Sequence, residues 1–285
     1  MGTGEKAGQA GTGEAAELLA LAAGVAAEAG RMLLRERPAG PAGRPEVADT
    51  KSSPTDVVTA MDRAAERLIR DRLLASRPGD AILGEEGGES GRGRVRWIVD
   101  PLDGTVNYLY GLPDWAVSIA AEVSGTVVAG VVSVPARGEV FTAVRGGGAW
   151  LRGGGAGPVQ LRANTGVPLA RALVATGFGY SAGRRQVQGE VVAVVLPRVR
   201  DIRRGGSCAV DLCALAAGRV DAYYERGVND WDYAAGGLVA TEAGARVAGL
   251  AGKPPNPELV IAAEPALFSE LHTLLAGLDP ERDAP

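Results

Sequence analysis

Histidine and cysteine are scarce in this chain. Among 285 residues there is one histidine, His272, and there are two cysteines, Cys208 and Cys213. A structural zinc site, which usually takes four such ligands, therefore has too few donors. A serine–histidine–aspartate triad would have to use His272, whose place in an amphipathic C-terminal segment favours a structural role instead. If the chain is an enzyme, a metal ion and carboxylates carry its chemistry.

The chain also lacks the features of membrane, secreted and nucleic-acid-binding proteins. No apolar run approaches the roughly 20 residues of a membrane span. Residues 1–14 are glycine-rich, with one lysine and no apolar stretch, unlike a secretory signal. The formal net charge of −4 differs from the basic excess typical of nucleic-acid binders. We expect a cytoplasmic protein with reduced cysteines and with no membrane or nucleic-acid partner.

Two carboxylates directly after a buried strand indicate an oxygen-based site at residues 97–105. The apolar stretch Trp97–Val99 predicts the strand, and Pro101, which has no N–H, predicts that its hydrogen-bond ladder ends there. The chain then turns, so that Asp100 and Asp103 can face one point. Carboxylate oxygens of this kind suit a hard cation such as Mg²⁺.

Two further acidic elements fit the same kind of site. The neighbouring carboxylates of Glu85 and Glu86 repel each other unless water or a cation lies between them. Asp232 opens a predicted helix, and capping of that helix is an alternative explanation for it. Together with the aspartates of residues 97–105, these groups form an all-oxygen cage. Such a cage suits two Mg²⁺ ions about 3.5–4 Å apart, the arrangement used in phosphoryl hydrolysis.

Four stretches of the chain resemble the inositol monophosphatase family of Mg²⁺-dependent, lithium-sensitive sugar phosphatases, and they occur in the order in which that family has them. They are residues 51–62, Gly84-Glu85-Glu86, residues 97–105, and Trp231-Asp232 with the Ala-Gly helix that follows. The resemblance covers about residues 18–275. Four ordered matches are a strong signal, whereas a single Asp-x-x-Asp is a weak one.

The resemblance implies an α/β (α+β) fold, a layered α-β-α-β-α sandwich of the inositol monophosphatase and fructose-1,6-bisphosphatase type. We expect a flexible tail over residues 1–13 and an N-terminal α+β subdomain with the metal-binding motifs over 14–155. A C-terminal α/β subdomain with the substrate-recognition residues is expected over 156–285. The active site would lie between the two subdomains, and the family suggests a homodimer.

Apolar periodicity predicts the elements of this sandwich. Strands around residue 97 and over 116–123, 126–134 and 140–144 indicate a mostly antiparallel sheet with hairpins. Residues 146–158 are predicted as a glycine-rich turn region. Helices are predicted over residues 14–37, 62–75, 187–199, 208–217, 233–243 and 265–278.

The resemblance also implies the metal ligands and the catalytic groups. Two or three Mg²⁺ ions are expected, held by the carboxylates of Glu85, Asp100, Asp103 and Asp232 and by the carbonyl oxygen of Leu102. Within the catalytic set of Thr105, Asp62 and Glu85, Thr105 orients the attacking water and Asp62 is hydrogen-bonded behind it. Asp62 can cap a helix at the same time, and Glu86 is expected behind the ligands, ordering water around a further ion.

Substrate contacts divide into a phosphate side and an organic side. Asp103, Asp232 and Lys51 are expected near the phosphate, which the N–H groups of Gly104 and Thr105 would cradle. Glu225 is an acceptor-only carboxylate suited to vicinal hydroxyls. The resemblance places three neighbouring residues beside Glu225 at the substrate's hydroxyls: Gly206, Ser207 and Cys208.

Three functions remain open at this point. The first is hydrolysis of inositol 1-phosphate or a similar sugar monophosphate. The second is hydrolysis of histidinol phosphate, fructose 1,6-bisphosphate or a 3′-phosphoadenosine nucleotide on the same scaffold. The third is a non-catalytic regulatory protein. The intact carboxylate set argues against the third, because clustered acids without a metal ion are costly.

Overall fold

The computed structural model describes residues 11–37, 47–50 and 57–283. All six predicted helices are found, and a short seventh follows the Asp100–Asp103 segment. The largest shift in a boundary is at the fourth helix, which begins at residue 182 rather than 187. The helices are α1 (Thr12–Glu36), α2 (Ala60–Ser76), α3 (Thr105–Tyr110), α4 (Ala182–Val195), α5 (Cys208–Ala216), α6 (Asp230–Glu242) and α7 (Pro265–Ala276).

The described strands form a large sheet, a smaller sheet and a two-stranded ribbon. The sequence patterns missed several of the short strands. The strands are β1 (Val47–Thr50), β2 (Val57–Thr59), β3 (Ala81–Gly84), β4 (Gly88–Ser90), β5 (Val95–Asp103), β6 (Ala116–Val123), β7 (Thr126–Val134), β8 (Glu139–Val144), β9 (Gly148–Gly153), β10 (Ala156–Gln160), β11 (Leu173–Thr176), β12 (Asp201–Arg203), β13 (Ala222–Glu225), β14 (Arg246–Ala248) and β15 (Val260–Ala263).

The eight-stranded sheet has the order β10-β9-β8-β7-β6-β5-β3-β4. Its pairs are antiparallel except β3 with β5, which confirms the predicted, mostly antiparallel character. The five-stranded sheet has the order β12-β11-β13-β15-β14 and mixes parallel and antiparallel pairs. The predicted boundary between residues 155 and 156 stays a prediction, and the first sheet itself ends at Gln160.

Helices cover both faces of both sheets, so the predicted five-layer sandwich is confirmed. One core lies between α1, α2 and the large sheet. A second lies between that sheet and the middle layer of α5 and α6. The middle layer also packs on the five-stranded sheet, whose far face carries α4 and α7. The middle layer is therefore apolar on two sides, as its buried residues show.

The sequence predicted residues 146–158 as a glycine-rich turn region, and for part of this range the prediction is wrong. They contain β9 and the start of β10, which pair as a hairpin. Gly146, Gly154 and Gly155 lie in the turns with positive φ, whereas Gly148, Gly153 and Gly157 belong to the strands. Glycine adopts that conformation without the steric cost that a Cβ would add. The density of glycine concealed the strand between the turns.

No helix in the described part of the chain is long and apolar enough to cross a membrane.

Candidate metal and substrate site

Strand β5 carries the first two carboxylates of the site. It continues to Asp103, so the expectation that it ends at Pro101 is wrong. The pairing with β6 instead shifts register between Asp100 and Asp103. Proline is tolerated in a strand at such an irregularity because no ladder N–H is needed there. The shift re-aims the side chains, and Asp100 Oδ1 accepts a hydrogen bond from Leu102 N at 3.0 Å.

Three of the predicted metal ligands come together in the structure. One carboxylate oxygen from each of Asp100, Asp103 and Asp232 lies within 4.8 Å of the others. The first two side chains are only 1% and 8% exposed. Two are neighbours in sequence, but Asp232 comes from the middle helical layer, so the cluster forms only where that layer packs on the large sheet.

Burial and mutual repulsion favour the protonated forms of these acids while no cation is bound. Burial raises the pKa of Asp100 well above its usual range, and the charges of Glu85, Asp103 and Asp232 raise it further. Burial does the same to the pKa of Asp232, again with help from Asp103 and Glu85. Each carboxylate is thus made less stable as an anion by its neighbours.

Asp103 has partners that hold it as an anion. Ser207 Oγ donates to Asp103 Oδ2 at 2.6 Å, and Ala209 N donates to the same oxygen at 2.7 Å. Burial raises the pKa of Asp103 to about 6, while these donors and the charge of Arg204 oppose the rise. Ser207 also accepts from Val210 N as the N-cap of α5. The first turn of α5 is thereby tied to the metal cluster.

Gly104 joins β5 to α3 and needs to be glycine. Its φ is +91°, and a Cβ there would lie 2.8 Å from Asp114 O and 3.3 Å from Gly206 O. Behind it, Asn107 Nδ2 donates to Asp114 O at 2.5 Å and to Gly205 O at 2.8 Å. The structure thus brings Gly104, predicted at the phosphate, against Gly206, predicted at the substrate's hydroxyls.

Thr105 and Asp62 meet as predicted. Thr105 Oγ lies 2.8 Å from Asp62 Oδ1 and 3.1 Å from Leu102 O, both of which are acceptors. Asp62 is fully buried, and its other oxygen accepts from Thr59 N at 2.8 Å. Thr59 is the N-cap of α2, and the two residues form a capping box. Asp62 therefore caps its helix and holds Thr105 at the same time.

Asp232 lies within its helix rather than opening it, so the predicted start of that helix is wrong. The N-cap is Asn229, and Asp232 is the third helical residue. Its Oδ2 accepts from Asn229 N at 2.5 Å, and one of its carboxylate oxygens belongs to the cluster. The alternative explanation of capping is thus correct without excluding the metal role. Asp230, two positions earlier, accepts from Tyr233 Oη instead.

Glu85 borders the same cleft as the cluster but is not one of its three members. It is half-buried at the turn between β3 and β4, and its charge raises the pKa of both Asp100 and Asp232. Glu86 follows in the turn and is also half-buried. Lys51, expected near the phosphate, lies outside the described residues.

The cluster opens into a cleft of about 490 Å³. Glu225, from β13 of the five-stranded sheet, lines the cleft together with Gly206 and Cys208. Tyr223 Oη donates to Glu225 Oε2 at 2.9 Å. Burial nevertheless raises the pKa of Glu225 to about 7. Three of the four predicted organic-side residues thus line the same cleft as the predicted metal ligands, whereas Ser207 is hydrogen-bonded to Asp103 instead.

Sequence reasoning missed two arginines that line this cleft, Arg184 and Arg204. Arg184 lies in the first turn of α4, where nothing in the local sequence distinguishes it from a solvated helix residue. Arg204 precedes the Gly205-Gly206 pair, and that position was the available signal. Its charge lowers the pKa of Asp103 and Glu225 against the effect of burial.

A serine at Gly-x-Ser-x-Gly spacing also borders the cleft, at Ser181. It stands at the N-cap position of α4. The histidine of the chain does not serve it, because His272 Nε2 accepts from Ala251 N at 3.2 Å and the ring stacks on Phe268. A serine–histidine–aspartate site is therefore absent from the described residues. The buried cysteines, Cys208 and Cys213, are free thiols as expected.

A divalent cation fits the three-aspartate cluster. All of its side-chain donors are carboxylate oxygens, the ligand type that Mg²⁺ prefers. Within the described ranges, no lysine or arginine nitrogen pairs with any of the three at 4.0 Å or less. Buried carboxylates are normally paired or bind a metal ion. Burial raises the pKa of all three, and a bound cation would favour their charged forms.

Comparison with known proteins agrees with the site. The sequence model of the inositol monophosphatase family matches residues 14–278. The inositol-1-monophosphatase SuhB of Mycobacterium tuberculosis is 51% identical over 248 residues, 82% of this chain and 83% of the relative. A relative named Nus factor SuhB, from Pasteurella multocida, is 42% identical over 207 residues, 72% of this chain and 76% of the relative.

The solved structure of Mycobacterium tuberculosis SuhB superposes with a TM-score of 0.79 and 46% sequence identity, over 94% of this chain and 99% of that one. The layered fold, the clustered carboxylates and the family match over most of the chain lead to one conclusion. The chain belongs to the inositol monophosphatase family and is a phosphoric monoester hydrolase.

Proposed function

We propose that this chain is a Mg²⁺-dependent phosphatase that hydrolyses a small polyol phosphate, with inositol 1-phosphate as the favoured substrate. The observation that carries the proposal is that a carboxylate cluster and Glu225 line the same cleft. Asp100, Asp103 and Asp232 form the cluster, and Glu225 reaches the cleft from β13 of the five-stranded sheet. The names of the mycobacterial relatives support the choice of inositol 1-phosphate.

Asp100, Asp103 and Asp232 would hold the Mg²⁺ ions, with Glu85 and the Leu102 carbonyl oxygen beside them. Bound Mg²⁺ supplies acidity for the attacking water and positive charge opposite the phosphate. Two or three ions would satisfy this set. The family resemblance supports that number of Mg²⁺ ions.

Thr105 is placed to orient the attacking water. Its hydroxyl proton points to Asp62 at 2.8 Å, so the oxygen lone pairs are available to a water in the cleft. The fully buried Asp62 carboxylate is held by Thr59 and cannot swing away. A water that donates to Thr105 would keep its lone pairs for attack on the phosphorus.

The phosphate would lie at the junction of β5 and α3. The N–H groups of Gly104 and Thr105 come from a turn that only glycine allows, and phosphate oxygens accept such donors well. Lys51 remains a proposed contact from outside the described residues. Glu225, Gly206, Ser207 and Cys208 would then face the hydroxyls of the organic part, and Arg184 and Arg204 line the same cleft.

Release of inorganic phosphate by the purified protein tests this proposal. Inositol 1-phosphate, histidinol phosphate, fructose 1,6-bisphosphate and 3′-phosphoadenosine 5′-phosphate are compared with Mg²⁺ and with EDTA. We expect hydrolysis that requires Mg²⁺ and has its highest kcat/KM with inositol 1-phosphate.

A higher kcat/KM with one of the other three compounds would replace the proposed substrate and keep the mechanism. Turnover unaffected by EDTA would overturn the metal mechanism. No release with any substrate would favour a binding role, such as the name Nus factor suggests for some relatives.

Lithium provides a second measurement in the same assay. By family resemblance, we expect Li⁺ to inhibit at millimolar concentrations by occupying a Mg²⁺ position. The control is an equal concentration of KCl, which separates this effect from ionic strength. If Li⁺ and K⁺ acted alike, the chain would not belong among the lithium-sensitive members, although the hydrolase mechanism would stand.

The substitution Glu225→Gln tests the organic side of the cleft. A lost hydrogen bond to a charged group costs about 1.5–3 kcal/mol, or about tenfold or more in kcat/KM. We expect that loss with inositol 1-phosphate and a smaller one with an aryl phosphate that has no hydroxyls. The exposed Glu17→Gln on α1 is the matched control. An equal loss with both substrates would make Glu225 a structural residue, and a selective loss with histidinol phosphate would favour that substrate.

We further propose a cytoplasmic homodimer without a nucleic-acid or membrane partner. The mild acidity of the chain and the family resemblance support this assignment.

A further inference from the structure

One fully buried carboxylate next to the site has no role in the proposed mechanism. Glu66 in α2 is only 2% exposed. Its Oε2 accepts from Glu86 N at 2.7 Å, and its Oε1 accepts from Gly87 N at 2.8 Å. Glu66 therefore binds the backbone of the turn that carries Glu85 and Glu86, from 20 residues earlier in the chain.

Two glycines in that turn make room for the Glu66 carboxylate. A Cβ at Gly84 would lie 2.4 Å from Glu66 Oε1, and a Cβ at Gly87 would lie 2.7 Å from the same atom. Neither glycine has a positive φ, so backbone conformation does not demand them. The close approach of the carboxylate explains the glycines on both sides of the Glu85-Glu86 pair.

Arg70 completes the attachment of this turn to α2. Its Nε lies 2.7 Å from Glu66 Oε1, one helical turn away. Its remaining nitrogens donate to Ser90 Oγ at 2.8 Å and to Gly88 O at 2.5 Å. The charge of Glu66 is thus compensated, and both sides of the β3–β4 turn are bound to one helix.

The same helix holds the other half of the site. Asp62 lies four residues before Glu66, so both side chains project from one face of α2. Asp62 holds Thr105 at the start of α3, whereas Glu66 holds the turn with Glu85. The distance between the two segments is thereby set by one helical turn, which is about 5.4 Å long.

We propose that Glu66 is a positioning residue that fixes Glu85 relative to the aspartate cluster, and that α2 spaces the two segments through Asp62 and Glu66. The inference rests on the proposed function for its metal. Without Glu66, the turn loses two charge-assisted hydrogen bonds, and Glu85 is held from the other side, by the bond from its N to Val99 O at 3.2 Å. Partners behind metal ligands typically change metal affinity by about 10–100-fold.

The experiment compares Glu66→Gln and Gly87→Ala with two matched controls. Gly79→Ala is the control for the glycine change, because a Cβ there meets nothing within 4 Å. Glu28→Gln removes a surface ion pair with Arg72 and is the control for lost charge. Calorimetric titration with Mg²⁺ alone gives the metal affinity, and phosphate release gives the Mg²⁺ dependence of kcat and the substrate KM.

We expect Glu66→Gln and Gly87→Ala to weaken Mg²⁺ binding by about 10–100-fold. The kcat at saturating Mg²⁺ should recover most of its value, and KM should change little. Unchanged Mg²⁺ affinity in Gly87→Ala overturns the proposal, even if Glu66→Gln fails to fold. A fall in kcat that Mg²⁺ does not restore, with normal affinity, overturns it too. If the unaltered protein binds Mg²⁺ but releases no phosphate, the proposed function fails and the calorimetric comparison still decides the role of Glu66.

Discussion

Asp100→Asn is expected to remove nearly all turnover while leaving the protein folded. Asp100 is 1% exposed and belongs to the three-carboxylate cluster, so its loss removes a charged ligand that the other two cannot replace. We expect kcat/KM to fall by more than about a hundredfold, because outer partners of metal ligands alone cost about 10–100-fold. Inositol 1-phosphate and a simple aryl phosphate should be affected alike.

The same substitution should not destabilise the metal-free protein. The carboxylate at Asp100 is repelled by Glu85, Asp103 and Asp232, and a neutral amide relieves that repulsion. The amide oxygen can still accept the hydrogen bond from Leu102 N. In EDTA at pH 8, the Tm of Asp100→Asn should therefore equal or exceed that of the unaltered protein.

The exposed Asp71→Asn on α2 is the matched control and should leave both activity and Tm unchanged. Circular dichroism verifies the fold, and thermal denaturation with and without Mg²⁺ measures the loss of metal stabilisation. Full activity of Asp100→Asn would refute its role as a ligand. A strongly lowered Tm without metal would instead show that Asp100 is required for folding.

The stability of the metal-free protein should fall as the pH rises from about 5 to 8. Burial raises the pKa of Asp103 to about 6, that of Glu225 to about 7 and that of Asp211 to about 8. Their reference values are 3.8, 4.5 and 3.8, so the folded protein keeps protons that the unfolded chain has released. The stabilisation is complete below about pH 4 and is lost as the pH passes through the folded-state pKa values.

Surface ion pairs have the opposite effect, because the stability that they contribute rises with pH, but they act at lower pH than the buried acids. Hydrogen bonds from arginines lower the pKa of Glu139 and Asp201. The stability that these ion pairs contribute to the protein is therefore lost only as acid protonates the two carboxylates. The two effects therefore separate, and the window from pH 5 to 8 reports the buried acids. Over this window we expect the Tm in EDTA to fall by on the order of 5–10 °C.

Bound Mg²⁺ should reduce this fall, because a cation binds the deprotonated form of Asp103 and of the other ligands, whereas the part due to Glu225 and Asp211 should remain. Thermal denaturation at half-unit pH steps, in EDTA and in saturating Mg²⁺, measures both curves. The difference between them should widen as the pH rises. A Tm in EDTA that stayed flat from pH 5 to 8 would show that the buried acids do not titrate there. Asp100→Asn should reduce the slope.

Local sequence determined a large part of this protein. The apolar run before Asp100, the Asp-x-x-Asp-Gly-Thr order and the helix around Asp232 are short-range patterns, and each predicted its element and its ligand type. The five-layer sandwich followed from helical and strand periodicity together with the family resemblance. The predictions of the elements were confirmed because a strand, a helix or a glycine turn depends mainly on neighbouring residues, whereas the ligand type stays a prediction.

Other features arose only where distant elements pack together. The sequence predicted that β5 would end at Pro101, but pairing with β6 carries the strand through an irregularity to Asp103. No local pattern singled out Arg184, which lies ahead of the predicted start of its helix, although the fold places it on the cleft.

Glu66 and Arg70 have the spacing of an ordinary exposed ion pair on a helix, one of the commonest surface patterns. Burial against the β3–β4 turn, with two glycines leaving space for the carboxylate, turns that pair into a support for the metal site. Sequence spacing determines which face of a helix a side chain occupies. Only the tertiary structure decides what that face meets, because the partner backbone comes from residues that local patterns cannot place.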